Sequence, residues 1–220
     1  MKKNFNRRVN KAHVSQLNRI ISGAVPPTDE IMLSGNGSVV FYENFLVPDK
    51  ANRLLEFCSE LDISVPSFRN FNNELVQQPR ASMWFGPVPY AYSKFTLPNH
   101  SFGETRWLEQ LRADLGLVFG DLNSCLINKY RNGTDKVAWH ADNEKIFGVD
   151  PTIVSVSLGV TRTFEICHMN NVPRYAEHSF NLTHGSVIVM KGDMQRNYLH
   201  RVPVEVSDGT RYNLTFRYVV

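Results

Sequence analysis

A chain of 220 residues with 42% hydrophobic content, 11 Pro, 13 Gly and a net charge of +3 has the composition of a globular protein with room for a proper core. No run approaches the ~20 apolar residues of a membrane helix and no signal-peptide pattern opens the chain, so no membrane partner is expected. Cys58, Cys125 and Cys167 show no C-x-x-C spacing, which argues against a disulfide framework or zinc knuckle and fits an intracellular compartment, cytoplasmic or, in a eukaryote, nuclear.

In chain order, residues 1–28 come first and carry Lys2, Lys3, Arg7, Arg8, Lys11 and Arg19 with no Asp or Glu. The remainder holds 18 basic against 21 acidic residues, so the positive surplus belongs to a basic, flexible N-terminal arm. Such an arm suits phosphate backbones or anionic surfaces, and it equally suits a solvated terminus. Ser22 to Thr28, ending Pro26-Pro27-Thr28, reads as a hinge to the body at 29–220. Val39 to Tyr42 reads as a short strand. Asp49 is predicted to N-cap a helix through Leu61, with Leu54, Leu55, Cys58 and Leu61 at helical spacing. Residues 102–119 predict a second helix with Trp107, Leu108, Leu111 and Leu115 on one face. From residue 124 the pattern changes to short β-type runs: Ser124–Tyr130, Thr152–Leu158, Arg162–Ile166, Ser186–Met190 and Arg211–Val219. Gly133, Gly159, Gly185, Gly192 and Gly209 punctuate them. The implied fold class is α+β, mainly β: a jelly-roll core, or double-stranded β-helix, supported by N-terminal helices.

Two features carry chemistry. In Trp139-His140-Ala141-Asp142, residues two apart on an extended segment point the same way, so His140 and Asp142 can reach one ion; His200 supplies a third ligand 60 residues after His140. Two imidazoles and a carboxylate leave three open octahedral positions, the facial arrangement of non-haem iron(II) oxygenases. With seven His in the chain, spacing alone also allows a chance H-x-D pair. The second feature is Arg211-Tyr212-Asn213-Leu214-Thr215-Phe216-Arg217-Tyr218. Strict alternation puts Arg211, Asn213, Thr215 and Arg217 on one face, and Tyr212, Leu214, Phe216 and Tyr218 on the other. If the aromatic face packs on a core, two guanidiniums look into a cavity and demand anions, and a dicarboxylate would meet both. Pairing with surface carboxylates is the alternative.

Several ordered blocks resemble the AlkB family of nucleic-acid dealkylases. They are Asn128-Lys129-Tyr130-Arg131-Asn132-Gly133, Trp139 to Glu144, Ser157 to Phe164, His184-Gly185-Ser186, His200-Arg201-Val202-Pro203 and the closing RYNLTFR. Upstream, Gln78-Pro79-Arg80 and Trp84 to Ser93 look like the family's substrate-side segment. The likeness spans about residues 38 to 218 and is nearest the eukaryotic second and third homologues. It implies one catalytic dioxygenase domain over 29–220, using iron(II), 2-oxoglutarate and dioxygen. The implied iron ligands are His140, Asp142 and His200. Arg211, with Tyr130 and Asn213, would hold the distal carboxylate of 2-oxoglutarate; Arg217 and Asn128 would steady the chelating end.

The resemblance further implies oxidative demethylation of N-alkylated bases in DNA or RNA, such as 1-methyladenine and 3-methylcytosine, releasing formaldehyde, succinate and carbon dioxide. A monomer acting on nucleic acid is the expectation. For the base pocket it implies Tyr92 as a stacking aromatic against His140, with Tyr90 and Arg80 beside it and Glu144 near the base edge. Asn143 departs from the pattern, since close relatives carry Asp there, and an amide offers less to a cationic base. Ser67 to Gln78 sits where relatives have a base-flipping hairpin, though its sequence assigns no wedge residue. Two rival readings are an iron and 2-oxoglutarate hydroxylase of a protein or small molecule, and a non-catalytic nucleic-acid-binding module.

Overall fold

The computed structural model describes residues 26–69, 72–92 and 95–220. Most of the predicted arm, residues 1–25, lies outside the described residues, as do Asn70 and Phe71 of the predicted hairpin.

The chain begins with β1 (Asp29–Met32) and β2 (Ser38–Tyr42), followed by α1 (Pro48–Ser59). A hairpin of β3 (Ser67–Arg69) and β4 (Leu75–Gln77) leads to β5 (Ala81–Phe85). Next come the hairpin β6 (Tyr90–Tyr92) and β7 (Phe95–Leu97), the short β8 (Asn99–His100) and α2 (Arg106–Phe119). The second half runs β9 (Ser124–Tyr130), β10 (Val137–His140), β11 (Ile153–Gly159), β12 (Arg162–His168), β13 (His178–Leu182) and β14 (Val187–Lys191). It ends with α3 (Met194–Asn197), β15 (Tyr198–Val202) and β16 (Arg211–Arg217).

Eight strands form one sheet in the order β1-β2-β14-β11-β16-β9-β5-β8, and four form a second in the order β10-β15-β12-β13. Pairing is antiparallel except between β5 and β8. This is the predicted jelly roll. Helix α1 buries Ala51, Leu54 and Cys58, and α2 buries Leu108, Leu111 and Leu115, because helical spacing collects those side chains on one face. Both faces pack against Val154, Val156, Leu158, Val187, Val189, Tyr212, Leu214 and Phe216 on the outer side of the large sheet. Period-two alternation therefore turns the other face of the same strands toward the small sheet. There Ile153, Ile188 and Met190 meet Phe164, Ile166, Tyr198 and Val202.

Three details differ from expectation. Val47, not Asp49, holds the N-cap position of α1; Pro48 follows it, and Asp49 lies in the first turn, where a carboxylate complements the helix dipole. The helix stops at Ser59, short of Leu61. Strand β16 stops at Arg217, so Tyr218 leaves the aromatic face and is 47% exposed. The cysteines are free and buried, and no helix among the described residues is long and apolar enough to cross a membrane.

Two polar groups, one buried and one half-buried, lock the loops around the sheets. Arg162, 1% exposed, donates to the carbonyls of Asn132, Asp135 and Pro203 at 3.1, 2.9 and 2.7 Å and pairs with Glu205 at 2.6 Å. Gly133 lies under the same loop, where a Cβ would sit 1.9 Å from the Glu205 carbonyl oxygen, so only glycine fits. His184 joins the β13–β14 turn to helix α1. Its Nδ1 accepts the Gly159 N–H at 3.0 Å, so Nε2 carries the proton and donates to Asn52 Oδ1 at 3.1 Å.

Burial holds the His184 pKa below the ordinary histidine value. A depressed imidazole pKa means that the unfolded chain takes up the proton first, so this contribution is present above about pH 6.5 and is lost as pH falls. The urea midpoint of the wild type should drop between pH 7.5 and 5.5 by more than that of His184→Asn; equal drops would refute the role given to His184.

Candidate active site

Between the two sheets lies a cavity lined by Arg80, Tyr90, Asn128, Tyr130, His140, Asp142, His200, Arg211, Asn213 and Arg217, among others. These residues come from sequence positions far apart, and sheet register brings them together. On β16, Asn213 lies opposite Asn128 of β9 and Ser157 of β11, and Arg211 lies opposite Tyr130. On the small sheet, His140 of β10 lies opposite His200 of β15.

His140, Asp142 and His200 offer ligand atoms that all lie within 4.8 Å of one another. The Nε2 atoms of His140 and His200 stand 3.7 and 4.0 Å from the Asp142 carboxylate. His140 Nδ1 lies 2.9 Å from the Ala138 carbonyl, which can only accept, so Nδ1 carries the proton and Nε2 is left as a lone-pair donor. Burial, followed by His140, pushes the His200 imidazole down to about 3, the neutral form that a metal requires. Burial alone would raise the Asp142 carboxyl. Arg217 foremost, then His200 and His140, outweigh it and hold that carboxyl well below the usual range. Two neutral imidazoles and an anionic carboxylate facing one point are a donor set that fits iron(II).

Asp142 is also held from its far side. Arg217 Nη2 donates to Asp142 Oδ2 at 2.6 Å, both side chains being almost fully buried, and the guanidinium lies 4.9 Å from the centre of the Phe147 ring. Arg211 is 1% exposed and donates from Nη2 to Ser157 Oγ at 2.9 Å. Its Nε and Nη1 meet no acceptor in hydrogen-bond geometry among the described residues, and burial pulls its pKa down to about 10 although Tyr130, whose ring centre lies 5.2 Å away, works in the opposite direction. A buried guanidinium with two unmatched donors beside a metal-type site calls for an anion, and the carboxylate of a dicarboxylic acid fits it. Asn213 is tied down by Ser155 Oγ at 2.6 Å and Thr215 Oγ1 at 3.0 Å, and Asn128 Oδ1 accepts from Ser82 Oγ at 2.8 Å. The polar face predicted for β16 thus looks into the cavity.

The substrate-side residues are placed less uniformly. Arg80 Nε donates to Asn128 Oδ1 at 3.1 Å, so its guanidinium serves the Asn128 side of the cavity. Tyr90 is 1% exposed, its ring stacked on Trp84 at 4.6 Å and near Phe147 at 5.7 Å. Its hydroxyl donates to Glu144 Oε1 at 2.7 Å, and burial, then Asp142, raises the Glu144 pKa. Tyr90 therefore lines the cavity, and Glu144 holds its hydroxyl. Asn143 is exposed and does not line the cavity. The side chain of Tyr92 lies outside the described residues. Sequence reasoning missed Gln195: its Oε1 accepts the backbone N–H of Asp142 at 2.9 Å, and a buried amide on a four-residue helix leaves no periodic signal.

The model of the 2OG-Fe(II) oxygenase superfamily matches residues 38–217. Human alpha-ketoglutarate-dependent dioxygenase alkB homolog 3 is 37% identical over 203 residues, covering 86% of this chain and 70% of that protein. DNA oxidative demethylase ALKBH2 of Arabidopsis thaliana is 29% identical over 226 residues, covering 90% of this chain and 72% of that protein. The solved structure of OsALKBH1 shares the fold, with a TM-score of 0.54 and 18% identity over 81% of this chain and 97% of that one.

Proposed function

Because the chain belongs to the 2OG-Fe(II) oxygenase superfamily, it is a 2-oxoglutarate- and iron(II)-dependent dioxygenase, and we propose that it removes N-methyl groups from nucleic-acid bases. One observation carries the catalytic reading: His140, Asp142 and His200 converge in the cavity into which Arg211 directs unmatched donors. The substrate class rests on the relatives, one of which is a DNA oxidative demethylase.

In this reading His140 Nε2, His200 Nε2 and the Asp142 carboxylate hold the metal. Arg217 keeps Asp142 charged and oriented by binding one oxygen, which leaves the other for the ion. Arg211 binds the distal carboxylate of 2-oxoglutarate, with Tyr130 and Asn213 shaping that end; Arg217 and Asn128 stand by the other. When bound, iron(II) and 2-oxoglutarate would let dioxygen act as the oxidant: one oxygen atom would hydroxylate an N-methyl group, whose carbon then leaves as formaldehyde, and the other would be taken up as 2-oxoglutarate becomes succinate and carbon dioxide. The Trp84, Tyr90 and Phe147 wall keeps water from the Asp142 side. His140, with its side chain 21% exposed, gives the base its face at the cavity mouth, with Arg80 and Glu144 on the substrate side.

The test is a panel of DNA and RNA oligonucleotides bearing 1-methyladenine, 3-methylcytosine or N6-methyladenine, read by mass spectrometry. We expect loss of one methyl group, with formaldehyde and succinate in equal amounts. Succinate released without demethylation of any member would overturn the substrate assignment.

A further inference from the structure

The ligand Asp142 lies beyond the end of β10, where no strand partner fixes its backbone. We infer that Gln195 is a positioning residue for the metal site, acting as a clasp that ties Asp142 to the segment leading into His200. The inference rests on the reading of His140, Asp142 and His200 as metal ligands.

Gln195 is 2% exposed, and its Oε1 takes the Asp142 N–H at 2.9 Å. Its amide nitrogen lies 3.5 Å from the Met190 sulfur, a weak acceptor, which orients the oxygen toward Asp142. Helix α3 is itself anchored at both ends by the β1–β2 turn. Asp193 accepts the Asn36 N–H at 3.2 Å, and the Tyr198 hydroxyl lies 2.8 Å from Ser34 Oγ. Gly37 allows this approach, since a Cβ there would come within 3.2 Å of the Met194 nitrogen. The next residue, Arg196, makes a two-pronged contact with Asp150 at 2.7 and 2.9 Å, so α3 grips the loop after the H-x-D pair at a second point.

The arrangement divides the work of holding Asp142. Arg217 fixes the carboxylate, and Gln195 fixes the backbone that carries it. His200 lies five residues after Gln195 in the same continuous segment, so the bond spans the two halves of the triad. Without it the carboxylate has a fixed partner but a movable root.

Partners one step removed from a metal commonly change its affinity roughly 10–100-fold. Gln195→Met keeps the length of the side chain and removes the acceptor; Gln195→Glu keeps an acceptor oxygen at the same place. Titration of the full chain with cobalt(II), followed by its visible d–d spectrum and without 2-oxoglutarate, reads the site directly. Gln195→Met should weaken cobalt binding roughly 10–100-fold with an altered band shape, and Gln195→Glu should recover most of the loss. Binding by Gln195→Met within twofold of the wild type would overturn the proposal. Equal binding by Asp142→Ala would instead overturn the ligand assignment, and the clasp with it. Should Gln195→Met fail to fold, hydrogen exchange of the wild type decides. A slowly exchanging Asp142 amide supports the clasp, whereas exchange at the rate of an unstructured residue overturns it.

Discussion

Asp142→Ala should bring succinate formation to background and also destabilise the metal-free protein, because two consequences follow from one side chain. The first is loss of the only carboxylate in the group formed with His140 and His200 among the described residues. The second concerns Arg217, which is 2% exposed and whose Nη2 donates to Asp142 at 2.6 Å. Removing one member of a buried ion pair leaves the other charge uncompensated, at a cost of about 3–5 kcal/mol, and lowers the melting temperature by roughly 10 °C. Asp142→Asn keeps a hydrogen-bond acceptor for Arg217 and should lose less stability while losing the same activity. The double variant Asp142→Ala, Arg217→Met should recover much of the stability and none of the turnover. Thermal denaturation and succinate release, measured on all three variants, check each part; a stable Asp142→Ala would contradict the pairing.

The second large effect concerns Arg211, where stability and function should move in opposite directions. In the wild type, 2-oxoglutarate at about 100 times its dissociation constant, with an inert metal, should stabilise the fold by about 2.7 kcal/mol, roughly 5–10 °C. Arg211→Met should abolish that rise and reduce turnover to background. The same variant without cosubstrate should melt at or above the wild-type temperature. A buried guanidinium with two unmatched donors, its pKa drawn down to about 10, costs the fold more than an apolar side chain of similar length. A lower melting temperature for ligand-free Arg211→Met would show that Arg211 is a structural cation.

What could be read from the sequence follows from which residues have a period. Strand β16 is legible because its two faces differ sharply: Arg211, Asn213, Thr215 and Arg217 alternate with Tyr212, Leu214 and Phe216, and the structure turns one set to the cavity and the other to the helices. The strands β9, β11, β12 and β14 are legible as apolar runs between turns. Strand β5 escapes because Ala81, Ser82, Trp84 and Phe85 are all buried, which erases alternation. Strands β10 and β15 escape because their inward residues include His140 and His200, polar side chains that interrupt the hydrophobic pattern. The metal-type group itself is partly legible: H-x-D spacing presents two ligands, but His200 joins them only through pairing between β10 and β15. The contacts that hold it, Arg217 on the carboxylate and Gln195 on the backbone, depend on tertiary packing and have no local signature. Tyr90 has two faces that no local pattern separates: it lines the cavity, and its ring packs against Trp84 and Phe147.

The most direct measurement is an anaerobic titration of the full chain with iron(II) and then 2-oxoglutarate, following the visible charge-transfer absorption of the iron-bound 2-oxo acid. We expect the band to appear with one iron and one 2-oxoglutarate per chain in the wild type, to require Asp142, and to be lost in Arg211→Met at the same cosubstrate concentration. No band in the wild type, with both components present in excess, would contradict the dioxygenase site and favour a module that binds nucleic acid without oxidising it.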